Sequence, residues 1–183
     1  DSPVGRLKLV ATDRGLAGSL NTNTIRFAMR HITETAGDIK VVAVGRKGNA
    51  AMRRAGMPVV AAFEGFGDRP HFSDVLPLAR LVTTDYLAGS YSAVDLIHPV
   101  FVSTLVQRPV ADALLRLDTQ GIPGNQFIFE PSPAAVLEQL LPRYVATRIY
   151  QAVLELTASE WSSKMVAMRS ATEHRRSSLH RRR

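Results

Sequence analysis

SPAAVLEQLLPRYVATRIYQAVLELTASEWSSKMVAMRSAT, residues 132–172, decides the architecture. Ser132 followed by Pro133 reads as a helix start, a hydroxyl to cap free amides and a proline in the first turn. The roughly forty residues that follow hold no glycine and one internal proline, Pro142, where a kink is expected. Apolar residues return at steps of three and four through Leu137, Leu141, Val145, Ile149, Ala152 and Leu156. A second seam runs through Leu154, Ala158, Trp161, Met165 and Met168. Both have the period of a helix lying against another helix. Forty helical residues reach ~60 Å at 1.5 Å per residue, twice the ~30 Å width of a 130-residue globule. The helix is therefore expected to leave the body, and its uncovered seam implies a partner helix.

The rest of the chain supplies that body. Its 183 residues are 45% apolar, enough for one core with an extension. The net charge of +7 is concentrated at the end, where residues 174–183 hold five arginines and no acid; 7 − 5 leaves +2 for the remainder. Such a run can bind nucleic acid or acidic lipid, or can be a solvated tail. The chain has no cysteine, so disulfide and thiol chemistry are excluded. No apolar run approaches the ~20 residues of a membrane-spanning helix. The opening Asp1-Ser-Pro-Val is not a signal peptide, and the lack of a starting Met reads as an internal piece of something longer.

In chain order, strands are expected at Leu7–Thr12, Ile39–Val44, Pro58–Phe63, Ala93–Ser103 and Val106–Leu115, with a short one at Phe127–Phe129. Pro99 marks an edge or bulge in the fourth. Helices are expected after Asn21 to about Thr35, over Asn49–Ala55 and from Ser73 to about Ser90, with a loop over Asp118–Gln126. Strands alternating with helices argue an α/β fold, a mostly parallel sheet covered on both faces.

Catalytic signals are thin. The first strand-to-helix turn offers Asp13, Arg14, Gly15 and Gly18, whereas a dinucleotide fingerprint needs Gly-x-Gly-x-x-Gly. Arg46 and Lys47 follow the second strand where an acid should hold a ribose, tolerable only for a 2′-phosphate. Glycines serving a tight turn explain the pattern more simply, and an NADP-binding oxidoreductase domain is the alternative. Histidines 31, 71, 98, 174 and 180 lack metal-ligand spacing, so structural roles are expected for them. Asp13 and Asp95 are a weak pair of carboxylates at the sheet ends. No cofactor, metal or catalytic group is expected. Met165, Met168 and Trp161 read as a helix-packing seam, with Lys164 and Arg169 beside it facing a partner or solvent.

Three groups of residues together resemble the gamma subunit of the F-type ATP synthases. The first is Thr12-Asp-Arg-Gly-Leu-Ala-Gly-Ser-Leu-Asn21. The second is Gly45-Arg-Lys-Gly48 with Asp95-Leu-Ile, Phe101-Val-Ser103 and Gln107-Arg-Pro109. The third is Glu130-Pro-Ser-Pro, Leu140-Leu-Pro-Arg-Tyr144, Ile149-Tyr150, Ala158-Ser-Glu160, Met165-Val-Ala-Met168 and Ala171-Thr172. The resemblance implies a Rossmann-like body over 1–131, a protruding C-terminal shaft helix over 132–173, and an arginine-rich, disordered tail over 174–183. It implies half of an antiparallel coiled coil, whose N-terminal partner helix would precede Asp1.

It also implies a central-stalk rotor without catalytic residues, and a peripheral membrane protein on the cytoplasmic face of a bacterial inner membrane or its organellar equivalent. The implied partners are the alpha and beta subunits of the catalytic hexamer, the epsilon subunit and the c-ring, with no nucleic acid. Lys164, Met165, Met168 and Arg169 would carry the rotor-to-beta contact. Lys164 stands where the family usually has arginine; it keeps the charge and loses the planar fork. Asp13, Arg14, Gly15 and Gly18 would be a structural turn.

Overall fold

A computed structural model describes residues 5–12, 19–116 and 133–180. The elements are β1 (Gly5–Ala11), α1 (Leu20–Glu34), β2 (Ile39–Val44), α2 (Arg46–Arg54), β3 (Val59–Phe63), α3 (Phe72–Leu87), β4 (Tyr91–Phe101), β5 (Gln107–Arg116) and α4 (Pro133–His180). The sheet order is β3-β2-β1-β4-β5. Pairings β1–β2, β2–β3 and β1–β4 are parallel, and β4–β5 is antiparallel. This is the mostly parallel, helix-flanked sheet expected, with element ends displaced by a few residues. The turn 13–18, the loop 118–126, the strand 127–129 and the cap Ser132 lie outside the described residues.

Alternation across the pleat sorts the two cores. Val10, Val41 and Ile97 point to one face, where Ala28 and Ile32 of α1 and Met52 of α2 cover them. Leu7, Val42, Val44, Val94 and Leu96 point to the other, under Val75, Leu78, Ala79 and Val82 of α3. Pro99 costs no sheet bond on the β1 side, because pairing with β1 ends at Ile97, and it sits opposite Pro109 of β5. The register irregularity lies at Val94/Asp95 instead.

Helix α4 shares the second core and corrects one expectation. Its first seam is docked on the body from Leu141 onward: Leu141, Val145, Ile149, Ala152 and Leu156, with Ala146 and Val153 beside them, are buried with α3 and β4, whereas Leu137, expected in the same seam, is exposed. The Tyr150 hydroxyl donates to Pro70 O at 3.2 Å, and its ring meets Phe72 edge-on at 5.6 Å. Each fully buried Ile, Leu or Val contributes about 1.5–3 kcal/mol, so this half is an integral wall of the domain. The periodicity was common to both seams, and the sheet supplied the covering surface for one.

One further difference concerns the same helix. It holds Pro142 within its span and continues past Glu173 to His180, where a disordered tail was expected. Residues 174–180 contain no glycine or proline, and arginine and leucine are good helix formers, so nothing stops propagation there.

Candidate functional site

The second seam of α4 is the surface the body leaves open. Leu154 is 42%, Trp161 42%, Met165 62% and Met168 54% exposed, and Ala158 is exposed with them. Every residue from Lys164 to Arg175 is exposed. These side chains lie on the opposite side of the helix from Val145, Ile149 and Leu156, so the sheet cannot reach them.

Two intrahelical contacts order the charged groups. Lys164 Nζ lies 5.2 Å above the Trp161 ring, one turn away, which accounts for a tryptophan at an exposed helix position. Arg169 Nε donates to Glu173 Oε1 at 3.3 Å across i,i+4. Met165 and Arg169 also line a shallow pocket of about 500 Å³, closed on its other side by Thr104 and Leu105 of the β4–β5 turn. Higher up, Leu154 and Ala158 line a groove of about 660 Å³ with His98, Phe101, Asp112 and Arg148. An apolar helix or loop with an acidic group suits this surface chemically: thioethers and an indole for packing, with two cations beside them.

Of the residues expected at the site, Lys164, Met165, Met168 and Arg169 stand together on this stretch. Asp13, Arg14, Gly15 and Gly18 lie outside the described residues. Arg46 and Lys47 occupy the first turn of α2 and are exposed. Gly45 has φ 100°, a conformation open to glycine, and joins β2 to this helix. Gly48 is needed for space, since a Cβ there would sit 2.4 Å from Thr12 Oγ1. Both glycines serve the fold. Among the described residues no cluster of His, Cys, Asp or Glu could hold a metal, and no helix is long and apolar enough to cross a membrane.

Asp95 does not sit at a sheet end. It lies within β4 directly opposite Lys8 of β1, and both are buried, at 4% and 1% exposure. Asp95 Oδ2 accepts from Lys8 Nζ and Oδ1 from Arg116 Nη2, while His31 Nε2 lies 3.7 Å from Oδ2. Burial by itself would raise the Asp95 carboxyl, but hydrogen bonds and charge from Lys8 and Arg116 outweigh it and hold the group below its ordinary range. The sequence reading missed this cluster. Its signal was a single lysine inside Leu7-Lys-Leu-Val-Ala and a single aspartate inside Ala93-Val-Asp-Leu-Ile, each on an otherwise apolar strand. His98 is buried as well, with Nε2 3.0 Å from Asp112 Oδ2 and Nδ1 3.2 Å from Pro99 O.

Fold and surface define a class: an α/β domain carrying a long helix, half built into the domain and half presented outward with an open apolar seam. The chain belongs to the ATP synthase family, whose model, described as ATP synthase, matches residues 6–181. It is similar to the ATP synthase gamma chain of Roseiflexus sp. (strain RS-1), 42% identical over 174 residues that cover 92% of this chain and 60% of the relative. It is also similar to the ATP synthase gamma chain of Desulfitobacterium hafniense, 38% identical over 184 residues, covering 99% of this chain and 66% of that one. The chain thus spans about 60% of the Roseiflexus relative's length.

Among solved structures, a chain of the central stalk/c-ring of Tetrahymena thermophila mitochondrial ATP synthase matches with a TM-score of 0.75 over 94% of this chain and 78% of that chain, at 23% identity. A chain of the Euglena gracilis mitochondrial ATP synthase rotor matches at 0.68 over 94% of this chain and 68% of that chain, at 15% identity. At those identities the likeness is one of fold. The gamma-chain relatives give the dinucleotide alternative no support.

Proposed function

We propose that the chain is part of a central-stalk rotor subunit of an F-type ATP synthase. It couples ion-driven rotation to ATP synthesis, or ATP hydrolysis to ion pumping, and performs no bond-making step itself. The observation that carries this reading is the open seam of Leu154, Ala158, Trp161, Met165 and Met168 on a helix whose opposite seam is fixed in the domain. A shaft needs that asymmetry, one side held and one side offered. As the shaft turns, each catalytic subunit meets a different face. Unequal contact energies then shift its balance between conformations of different nucleotide affinity.

On this reading Lys164, Met165, Met168 and Arg169 bear on a loop of beta, and a second helix covers Leu154 and Ala158. The body, residues 1–131, meets epsilon and the c-ring; residues 132–173 form the shaft, which the helical residues 174–180 prolong. The protein reaches the cytoplasmic face of the membrane through the complex alone, and needs no cofactor and no nucleic acid.

The test is capture of the full-length protein from a gently solubilised membrane fraction, with co-purifying chains identified by mass spectrometry. Alpha, beta, epsilon and c subunits in fixed stoichiometry are expected; recovery alone would overturn the reading. In the assembled enzyme, Lys164→Ala is expected to slow ATP turnover by about two- to fivefold, the effect of one exposed ion pair, while Lys164→Arg holds or raises it. Identical turnover of all three proteins would remove Lys164 from the contact.

A further inference from the structure

The β4–β5 turn reaches across to α4 at the place where the helix leaves the body. The Ser162 hydroxyl donates to Thr104 O at 2.7 Å, and the Ser163 hydroxyl donates to Gln107 Oε1 at 3.2 Å. Gln107 in turn donates its Nε2 to Ser103 O and Thr104 O, at 3.1 and 3.2 Å, so its amide bridges the turn to the helix. One level closer to the sheet, the Phe101 amide donates to Glu155 Oε2 at 2.7 Å. Glu155 and Ser162 are seven residues apart, two turns along one face of the helix. The turn is itself closed, Val102 N and Ser103 N both donating to Val106 O.

Three features set these contacts apart from ordinary packing. First, threonines elsewhere on the helix satisfy their own backbone, Thr147, Thr157 and Thr172 each donating to the carbonyl four residues back. Ser162 and Ser163 reach outward instead. Second, the contact is polar, because Leu105 at the tip stays 77% exposed and Met165 62%, with a pocket of about 500 Å³ between turn and helix. Hydrogen bonds, which are directional, hold the turn where apolar burial does not. Third, Ser162 is the last buried residue of α4 among those whose exposure is described, which run to Arg175. From Ser162 to Arg175 the helix extends roughly 20 Å at ~1.5 Å per residue with no buried side chain, so a slip of about 10° at the root moves Arg175 about 3 Å.

We propose that the β4–β5 hairpin is a clasp that fixes the angle at which α4 leaves the body, with Glu155, Ser162, Ser163 and Gln107 as its positioning residues. This rests on the rotor reading and deepens it: force applied to the domain reaches the presented seam without loss only while the clasp is closed. The hairpin and the helix root turn as one body throughout the cycle.

The experiment uses the full-length chain in the assembled complex, reconstituted in vesicles with cysteine-free partner subunits; residues 1–183 themselves contain no cysteine. Spin labels at Leu105→Cys and Val166→Cys report the gap between turn and helix by dipolar broadening, and ions pumped per ATP hydrolysed report coupling. Ser162→Ala with Ser163→Ala, and separately Gln107→Leu, are expected to raise the unclasped population about fivefold per hydrogen bond lost and to lower the coupling ratio. A short bis-maleimide joining the two cysteines should restore that ratio in the serine double variant. A merely structural role would not give this rescue. Unchanged broadening and coupling in both variants would overturn the clasp, as would loss of turnover on cross-linking the otherwise unaltered chain. Failure of the unaltered chain to assemble or couple would instead overturn the rotor reading.

Discussion

At the scale of single residues, the buried Lys8–Asp95 pair is the most consequential arrangement in the body. Two charges at 1% and 4% exposure are tolerable only together, and Arg116 supplies a second donor to the same carboxylate. Asp95→Asn is expected to cost about 3–5 kcal/mol in urea unfolding, because Lys8 is left buried without its carboxylate partner. Replacing Lys8 by Met should cost less, since Asp95 keeps the half-exposed Arg116. The pH dependence follows from the direction of the shift. The Asp95 carboxyl lies lower in the folded protein than in the unfolded chain, so its stabilisation is whole above its ordinary value of 3.8 and is lost as pH falls through the folded value. Unfolding midpoints measured from pH 6 downward should therefore fall more steeply below about pH 4 for the unaltered chain than for Asp95→Asn. Parallel curves would remove Asp95 from the acid transition.

A second residue-scale case is steric. Thr12 Oγ1 is buried and has no hydrogen-bond partner among the described residues, and it fills the space a Cβ on Gly48 would need. Gly48→Ala is expected to cost about 1–3 kcal/mol by overpacking. In a Thr12→Ala background most of that cost should vanish, and a double-mutant cycle with no coupling would refute the contact.

At the scale of elements, α4 is one helix with two environments. Ile149 is 1% exposed in the core, so Ile149→Ala should cost about 2–5 kcal/mol in an unfolding titration. Met165 is 62% exposed, so Met165→Ala should change stability by no more than about 0.5 kcal/mol while weakening assembly with the partner subunits. Equal loss of stability in the two variants would mean the second seam is covered from within the chain. The helix was legible in the sequence from its period and its lack of glycine. Which seam would be buried was not, because Leu141–Leu156 and Leu154–Met168 carry the same period, and only the position of β4 and α3 separates them.

At the scale of the whole molecule, an open seam beside two grooves predicts behaviour in solution. Leu154, Trp161, Met165 and Met168 form an apolar stripe that water disfavours, and the chain by itself is expected to self-associate. Trp161→Ser with Met165→Ser should shift the sedimentation profile toward monomer; an unchanged profile would place the association elsewhere. Trp161 is the one tryptophan in the chain, so its emission should move to the blue as the seam is covered.

The sequence by itself determined the alternation of strands and helices, the long helix and the family resemblance. Each is a local property, carried by periodicity, turn residues and short motifs that lie close together along the chain. Pro99 was expected to mark an edge or a bulge; pairing with β1 stops short of it, but pairing with β5 runs past it to Phe101, and the register irregularity lies at Val94/Asp95. Tertiary structure decided what depends on surfaces brought together from distant positions. It chose the seam of α4 that the sheet covers. It set Lys8 against Asp95 across 87 residues of chain, and Ser162 against Thr104 across 58. A residue's type fixes what it can bond to, but its partner and its exposure follow from the fold, because both are set by the neighbours that packing supplies.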